Sequence, residues 1–288
     1  MEETIQKQLI SSPDSSSGAP NPSVAGDLRL HELQSRVFRN TRMLRVWLPP
    51  GYEDPENKGL QYPVFYLNDG QNLFDRATAF IGVEWQVDES ADRLIREGRI
   101  PPVIIVGIDN AGKDRAREYL PYRSLSPPVL RPQGKRCPEF LTNEVMPFVD
   151  QRYRTARGPE NTGLGGSSLG AINALYTVMD RPGIFGRLLL ESPSLFISGR
   201  RLLKYSRAFR QWPQKVFLAI GTREIGREDR NQQVVEDVRE LEHVLRRAGL
   251  GDERLRVKID EGATHNEAEW AKRFPEALSF LFGRGSGL

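Results

Sequence analysis

Five short, predominantly apolar runs set the strongest limit on how this chain folds: MLRVWLP (43–49), YPVFYLN (62–68), PVIIVGI (102–108), RLLLES (187–192) and KVFLAI (215–220). A strand with one face in water alternates polar and apolar side chains. Runs that are mostly apolar, and rich in β-branched and aromatic residues, suit a sheet covered on both faces. Two weaker strands, NTGLGGS (161–167) and LRVKID (255–260), are read beside them. Helical patterns fall between these runs. In NQQVVEDVRELEHVLRRAG the residues Val234, Val238, Leu241, Leu245 and Ala248 recur at spacings of three and four, and Gly249 stands where a helix stops. EWQVDESADRLIREG (84–98), PEFLTNEVMPFVDQRY (138–153) and NEAEWAKRFPEALSFLF (266–282) also read as helices. Pro147 and Pro275 are expected to kink or restart the last two. Strands alternating with helices imply parallel strands joined by right-handed crossovers, hence a mostly parallel, doubly wound α/β sheet with helices on both faces.

Residues 1–26 are rich in Ser, Pro and Gly with few large apolar side chains, and are expected to form a flexible N-terminal arm. Residues 27–288 are read as one domain, since no second linker interrupts the apolar segments. Hydrophobic residues at 38% and charged residues at 27% fit a globular protein rather than a disordered or membrane one. The net charge of +3 is the difference between 41 basic and 38 acidic residues that interleave along the chain, so no nucleic-acid partner is expected. No window approaches a transmembrane span and the acidic N-terminus is unlike a secretory signal, so no membrane partner is expected. With Cys137 the only cysteine, a reducing cytoplasmic location is the expectation. Neither metal nor cofactor is expected, because the three histidines are scattered and neither HExxH nor paired-Cys spacing occurs.

The stretch TGLGGSSLGAINALY (162–176) carries the chemistry. Ser168 has Gly166 two positions before it and Gly170 two after, a GxSxG pattern, whereas Ser167 is followed at that distance by Leu169. A nucleophile on a tight strand-to-helix turn takes a strained backbone, and side chains at the flanking positions would collide with the neighbouring strand and helix. A phosphate-binding loop fits less well. The Walker pattern needs Lys then Ser or Thr after its last glycine, where this chain has Ala171 and Ile172. An ordinary Gly-rich turn is the remaining reading.

A serine hydroxyl needs a base, and in this chain order the base comes late. His31 lies near the N-terminus in a region with little visible structure, and His243 falls on the charged face of its helix. His265, in DEGATHNEAEW, stands between the last strand and the last helix. The acid that orients it belongs on the loop after the preceding strand, GTREIGREDRN. Glu224 is the first choice, with Glu228 and Asp229 open, Asp229 being equally suited to cap the next helix. Oxyanion donors are expected from the backbone amide of Leu169 and, in YLNDGQNLFD, from that of Gln71 beside the turn residue Gly70.

Together RVWLPPGYEDPENKGLQYPVFYLNDGQNLF, PVIIVGIDNAGKDRAREYLPYR, GLGGSSLGAINALY, AIGTRE and GATHNEAEWAKRFPEALSFL resemble the serine esterase family of α/β-hydrolases. That group includes esterase D-like enzymes, siderophore (enterochelin-type) esterases, feruloyl and acetyl xylan esterases, and mycolyltransferases. The resemblance spans about residues 36–282 and implies an α/β-hydrolase fold. It puts the nucleophile on Ser168, the histidine on His265 and the acid on Glu224. Arg115, Glu118 and Tyr119 match a segment near the active-site rim, either touching substrate or bracing the loop. Three functions stay open: a carboxylesterase, an acyltransferase and a non-enzymatic relative. The favoured substrate is a small to medium soluble ester. Trp85, Tyr119, Phe196 and Trp270 are expected to form an apolar wall. Arg115, Arg117, Arg123, Arg131, Lys135 and Arg136, in the long loop at 109–139, are expected to form a cationic rim.

Overall fold

A computed structural model describes residues 23–283. The expected flexible arm, 1–26, lies outside the described residues up to position 22. Its last four residues are tied to the domain: Ser23 Oγ donates to Asp75 Oδ1 (2.9 Å), Ala25 N–H donates to Asp88 Oδ2 (2.5 Å), and Trp47 Nε1 donates to Ala25 O (2.7 Å).

The expected α/β sheet is present. Its strands are β1 (Asp27–Ser35), β2 (Asn40–Leu48), β3 (Val64–Asn68), β4 (Ile104–Ile108), β7 (Thr162–Ser167), β8 (Arg187–Glu191), β9 (Lys215–Arg223) and β10 (Leu255–Thr264). The order is β1-β2-β4-β3-β7-β8-β9-β10, parallel from β4 through β10 and antiparallel at β2 with both its neighbours. Two-residue strands β5 (Ser124–Leu125) and β6 (Pro128–Val129) form a separate ribbon.

Because side chains alternate across a strand, each apolar run feeds two cores. On β3, Val64 and Tyr66 face one core while Phe65 and Leu67 face the other. The first core is closed by helices α3 (137–150), α4 (Ser168–Asp180), α5 (Ile197–Ser206) and α6 (Glu228–Arg247) through residues such as Val145, Leu175, Leu203 and Leu241. The second is closed by α1 (Val87–Arg96) and α7 (Glu267–Phe282) through Ala91, Leu94, Phe274 and Leu278. A short helix α2 (Arg115–Tyr119) follows β4.

Two local expectations change, those for β1 and Pro275, and the expected restart at Pro147 is found. Strand β1 was not among those read from the sequence, and His31 lies on it, with Nε2 2.5 Å from Tyr153 Oη and its ring edge-on to Phe148 and Tyr153. Helix α3 passes through a π turn, Leu141–Val145, and Pro147 stands at the start of the segment that resumes, where its missing N–H matters least. Pro275 does not restart α7, which runs unbroken over it. Phe274, Ala277, Leu278 and Leu281 are wholly buried around it, and that burial outweighs the lost hydrogen bond. No helix among the described residues is long and apolar enough to cross a membrane.

Candidate active site

The segments that follow the carboxyl ends of β4, β7, β8, β9 and β10 converge on one cavity of ≈ 930 Å³, and the turn after β3 that carries Gln71 is not part of its lining. Ser168 lines it as the first residue of α4, in left-handed backbone with φ +53°. For a non-glycine residue this is strain of about 1–3 kcal/mol, borne by the packing around it. The flanking glycines have steric reasons. A Cβ on Gly166 would stand 2.9 Å from the Gly170 carbonyl carbon, and one on Gly170 would stand 2.8 Å from Asp69 Oδ2. Ser167 ends β7 in ordinary extended backbone and is buried outside the cavity lining. Ser168 Oγ is hydrogen-bonded to Ser194 Oγ (3.2 Å) rather than to an imidazole.

His265 follows β10 and also lines the cavity. Its Nδ1 is hydrogen-bonded to Glu224 Oε2, although the two residues are 41 positions apart. Glu224 is held from the other side, where Oε1 accepts from Gly221 N–H (2.7 Å) and Ser192 Oγ (2.8 Å). Its side chain is only 3% exposed. Burial pushes the Glu224 carboxyl up, but the hydrogen bond and charge of His265, with the Gly221 and Ser192 donors, outweigh it and hold the carboxyl below its ordinary range. The alternatives for the acid stand elsewhere. Asp229 is 64% exposed and paired with Arg227 (3.0 Å), and Glu228 opens the exposed first turn of α6. His243 is exposed on the same helix.

Leu169 follows Ser168 in α4, and Gln71 sits in a one-turn helix, Gly70–Asn72, that springs from Asp69 in left-handed backbone with φ 61°. This turn presses against β4, where a Cβ on Gly70 would lie 2.6 Å from the Gly107 carbonyl carbon. Among the described residues, neither the Gln71 nor the Leu169 amide is taken up by a protein acceptor. The Arg115 guanidinium grips Asp69 with two bonds of 2.7 Å, Asn110 adds another of 2.7 Å, and the Asp69 N–H donates to Tyr119 Oη (3.1 Å). Glu118 meets Arg42 beneath them at 2.5 Å.

Tyr119 and Arg115 therefore brace the turn that carries Gln71, and Arg115 reaches the cavity as well. Loosening this brace should shift the Gln71 amide, the donor expected from the sequence. Arg115→Ala is expected to lower kcat for a neutral ester about 10–100-fold with little change in KM, as steady-state kinetics would show.

The expected apolar wall is mostly absent. Trp85 is 2% exposed and lies in the second core against Trp270 and Phe274, because its backbone is pinned to Asn72 beneath the cavity. Trp270 is buried too, edge-on to His265 at 5.1 Å. Phe196, 36% exposed, does line the cavity, with Leu125, Ile197, Ile225 and Val234. Of the six basic residues expected at the rim, only Arg115 and Arg123 reach it. Arg117, Arg131, Lys135 and Arg136 do not line the cavity, and Lys135 and Arg136 lie over the rings of Tyr122 and Phe38. Arg227 and Arg230 complete the cationic lining. Their signal in the sequence is a basic pair flanking two acids in GTREIGREDRN.

The sequence matches the family described as "Putative esterase" over residues 35–281. It is 25% identical over 271 residues to the Uncharacterized protein YbbA of Bacillus subtilis (strain 168), covering 90% of this chain and 97% of that protein. It is 24% identical over 208 residues to the Ferri-bacillibactin esterase BesA of the same organism, covering 66% of this chain and 69% of that one. The fold superposes on siderophore hydrolase EstB from Aspergillus nidulans with a TM-score of 0.72 at 19% identity, covering 95% of this chain and 99% of that one. The chain belongs to the Putative esterase family, with the α/β-hydrolase fold and the carboxylic ester hydrolase activity of that family.

Proposed function

We propose that the chain hydrolyses soluble carboxylic esters of small to medium size through an acyl-enzyme on Ser168, with His265 as general base and Glu224 as the acid that orients it. The observation that carries this reading is the His265 Nδ1 hydrogen bond to a Glu224 carboxylate whose other oxygen is already filled by Gly221 and Ser192. An imidazole held this way carries its proton on Nδ1 and offers Nε2 as the acceptor. On substrate binding the Ser168 hydroxyl leaves Ser194, gives its proton to His265 Nε2 and attacks the ester carbonyl. The oxyanion forms against the Gln71 and Leu169 amides, and the imidazolium returns its proton to the departing alkoxide. Water then repeats the sequence on the acyl-serine.

Among the described residues, Arg115, Arg123, Arg227 and Arg230 border the cavity, and the carboxylate in its lining, Glu224, is engaged with His265. Beside the apolar Phe196, Leu125 and Ile225, this favours esters bearing a carboxylate, phenolate or catecholate group on a compact apolar body. The relative named as a ferri-bacillibactin esterase and the structure named as a siderophore hydrolase accord with that class.

A panel of nitrophenyl esters graded by acyl length, with anionic and neutral aryl esters beside it, tests the reading. Activity is expected to peak at short acyl chains and fall by C8 to C12. Arg230→Ala should raise KM for the anionic ester about tenfold while sparing the neutral one. A preference for long-chain esters, or equal losses on both aryl esters, would contradict it.

A further inference from the structure

Ser192 stands just past β8 in left-handed backbone with φ 43°, buried, its N–H held by Ala219 O at 2.8 Å. A serine hydroxyl has one proton to give and two lone pairs to fill. Ser192 Oγ receives Trp270 Nε1 (3.0 Å) and Arg273 Nη2 (3.3 Å). An indole N–H and a guanidinium N–H only donate, so both lone pairs are occupied and the hydroxyl proton has one direction left. That direction is Glu224 Oε1, 2.8 Å away.

The donors themselves are fixed. Trp270 and Arg273 are three residues apart on one buried face of α7. The Arg273 Nε donates to Glu191 Oε2 (2.9 Å), and Nη1 reaches Asp260 Oδ2 (3.3 Å). Arg273 and Glu191 are 1% and 0% exposed, so this pair cannot turn outward without leaving a charge buried alone. The circuit closes on the base, since Trp270 also packs edge-on against the His265 ring.

We infer that Ser192 is a positioning residue of the esterase reaction, an obligate hydrogen-bond donor that fixes which oxygen of Glu224 faces His265. With Oε1 saturated by Ser192 and Gly221, only Oε2 is free to take the Nδ1 proton. The inference rests on the reading of Glu224 as the orienting acid.

The test is a double-mutant cycle on Ser192 and Glu224, with kcat measured by single turnover on a neutral short-chain ester. Ser192→Ala removes the hydroxyl. Ser192→Gly also removes it and suits the left-handed backbone, so it guards against a folding loss. Both are expected to lower kcat about tenfold or more, with KM within about twofold. In the Glu224→Gln background the same substitutions should change kcat by less than about twofold, because the acceptor they hold toward His265 Nδ1 is gone. Equal losses in both backgrounds would overturn the inference. So would Ser192→Gly keeping kcat while Glu224→Gln loses it. If Glu224→Gln itself keeps kcat, the reading of the acid fails first.

Discussion

Ser168→Ala is expected to lower turnover of a short-chain nitrophenyl ester about 10⁶-fold, while Ser167→Ala changes it less than about tenfold. The two hydroxyls are neighbours in sequence but not in chemistry. Ser168 is turned into the cavity by a left-handed backbone that its neighbours are built to tolerate, whereas Ser167 is the last residue of β7 and lies outside the cavity lining. Alanine adopts the strained φ no worse than serine, so the Ser168→Ala protein should melt within a few degrees of the parent. A loss of activity without a loss of folding separates chemistry from structure.

Glu224→Gln is expected to cost about 10³–10⁴ in kcat. The size of the effect follows from the donors around the carboxylate. Gly221 N–H and the Ser192 hydroxyl both point at Oε1, so the amide oxygen of a glutamine must take that place. Its NH₂ then faces His265 Nδ1, which has to become the acceptor. The ring proton moves to Nε2, and the base can no longer accept from Ser168. Asp229→Asn should change kcat less than about twofold, since Asp229 is exposed on α6 and, among the described residues, is paired with the exposed Arg227.

Glu224 also leaves a signature in stability. Its carboxyl is held below the ordinary range in the folded state, so its contribution is fully present above the unfolded-state value and lost as pH falls through the folded one. The stability gap between parent and Glu224→Gln, measured by urea unfolding, should therefore narrow as the pH falls into the acid range.

β3, β4, β8 and β9 were legible because their runs are mostly apolar, as a sheet covered on both faces requires, while the glycine-rich β7 gave only a weak strand signal. β1 escaped for the opposite reason. DLRLHELQS alternates, sits at the sheet edge and follows directly on a Ser/Pro-rich stretch. Ser168, His265 and Glu224 were readable as candidates because chain order and glycine spacing are properties of the string. Which side chains face the cavity is not such a property. Trp85 and Trp270 read as wall residues on composition, yet backbone bonds to the Gly70–Asn72 turn and the packing of α7 carry them into the core. Arg227 and Arg230 reach the cavity from the N-cap and first turn of α6, and no local pattern announces that. Ser192 is similarly silent. Its role depends on two donors that lie about 80 positions away in sequence and meet it only in the folded chain.

The most direct measurement of the central claim is the site of covalent modification by a fluorophosphonate, mapped by peptide mass spectrometry on the active protein. A single adduct on Ser168, formed in step with loss of esterase activity, is the result expected. An adduct on Ser194, whose hydroxyl lies 3.2 Å from that of Ser168, or on Ser167, or full inhibition with no serine modified, would contradict it.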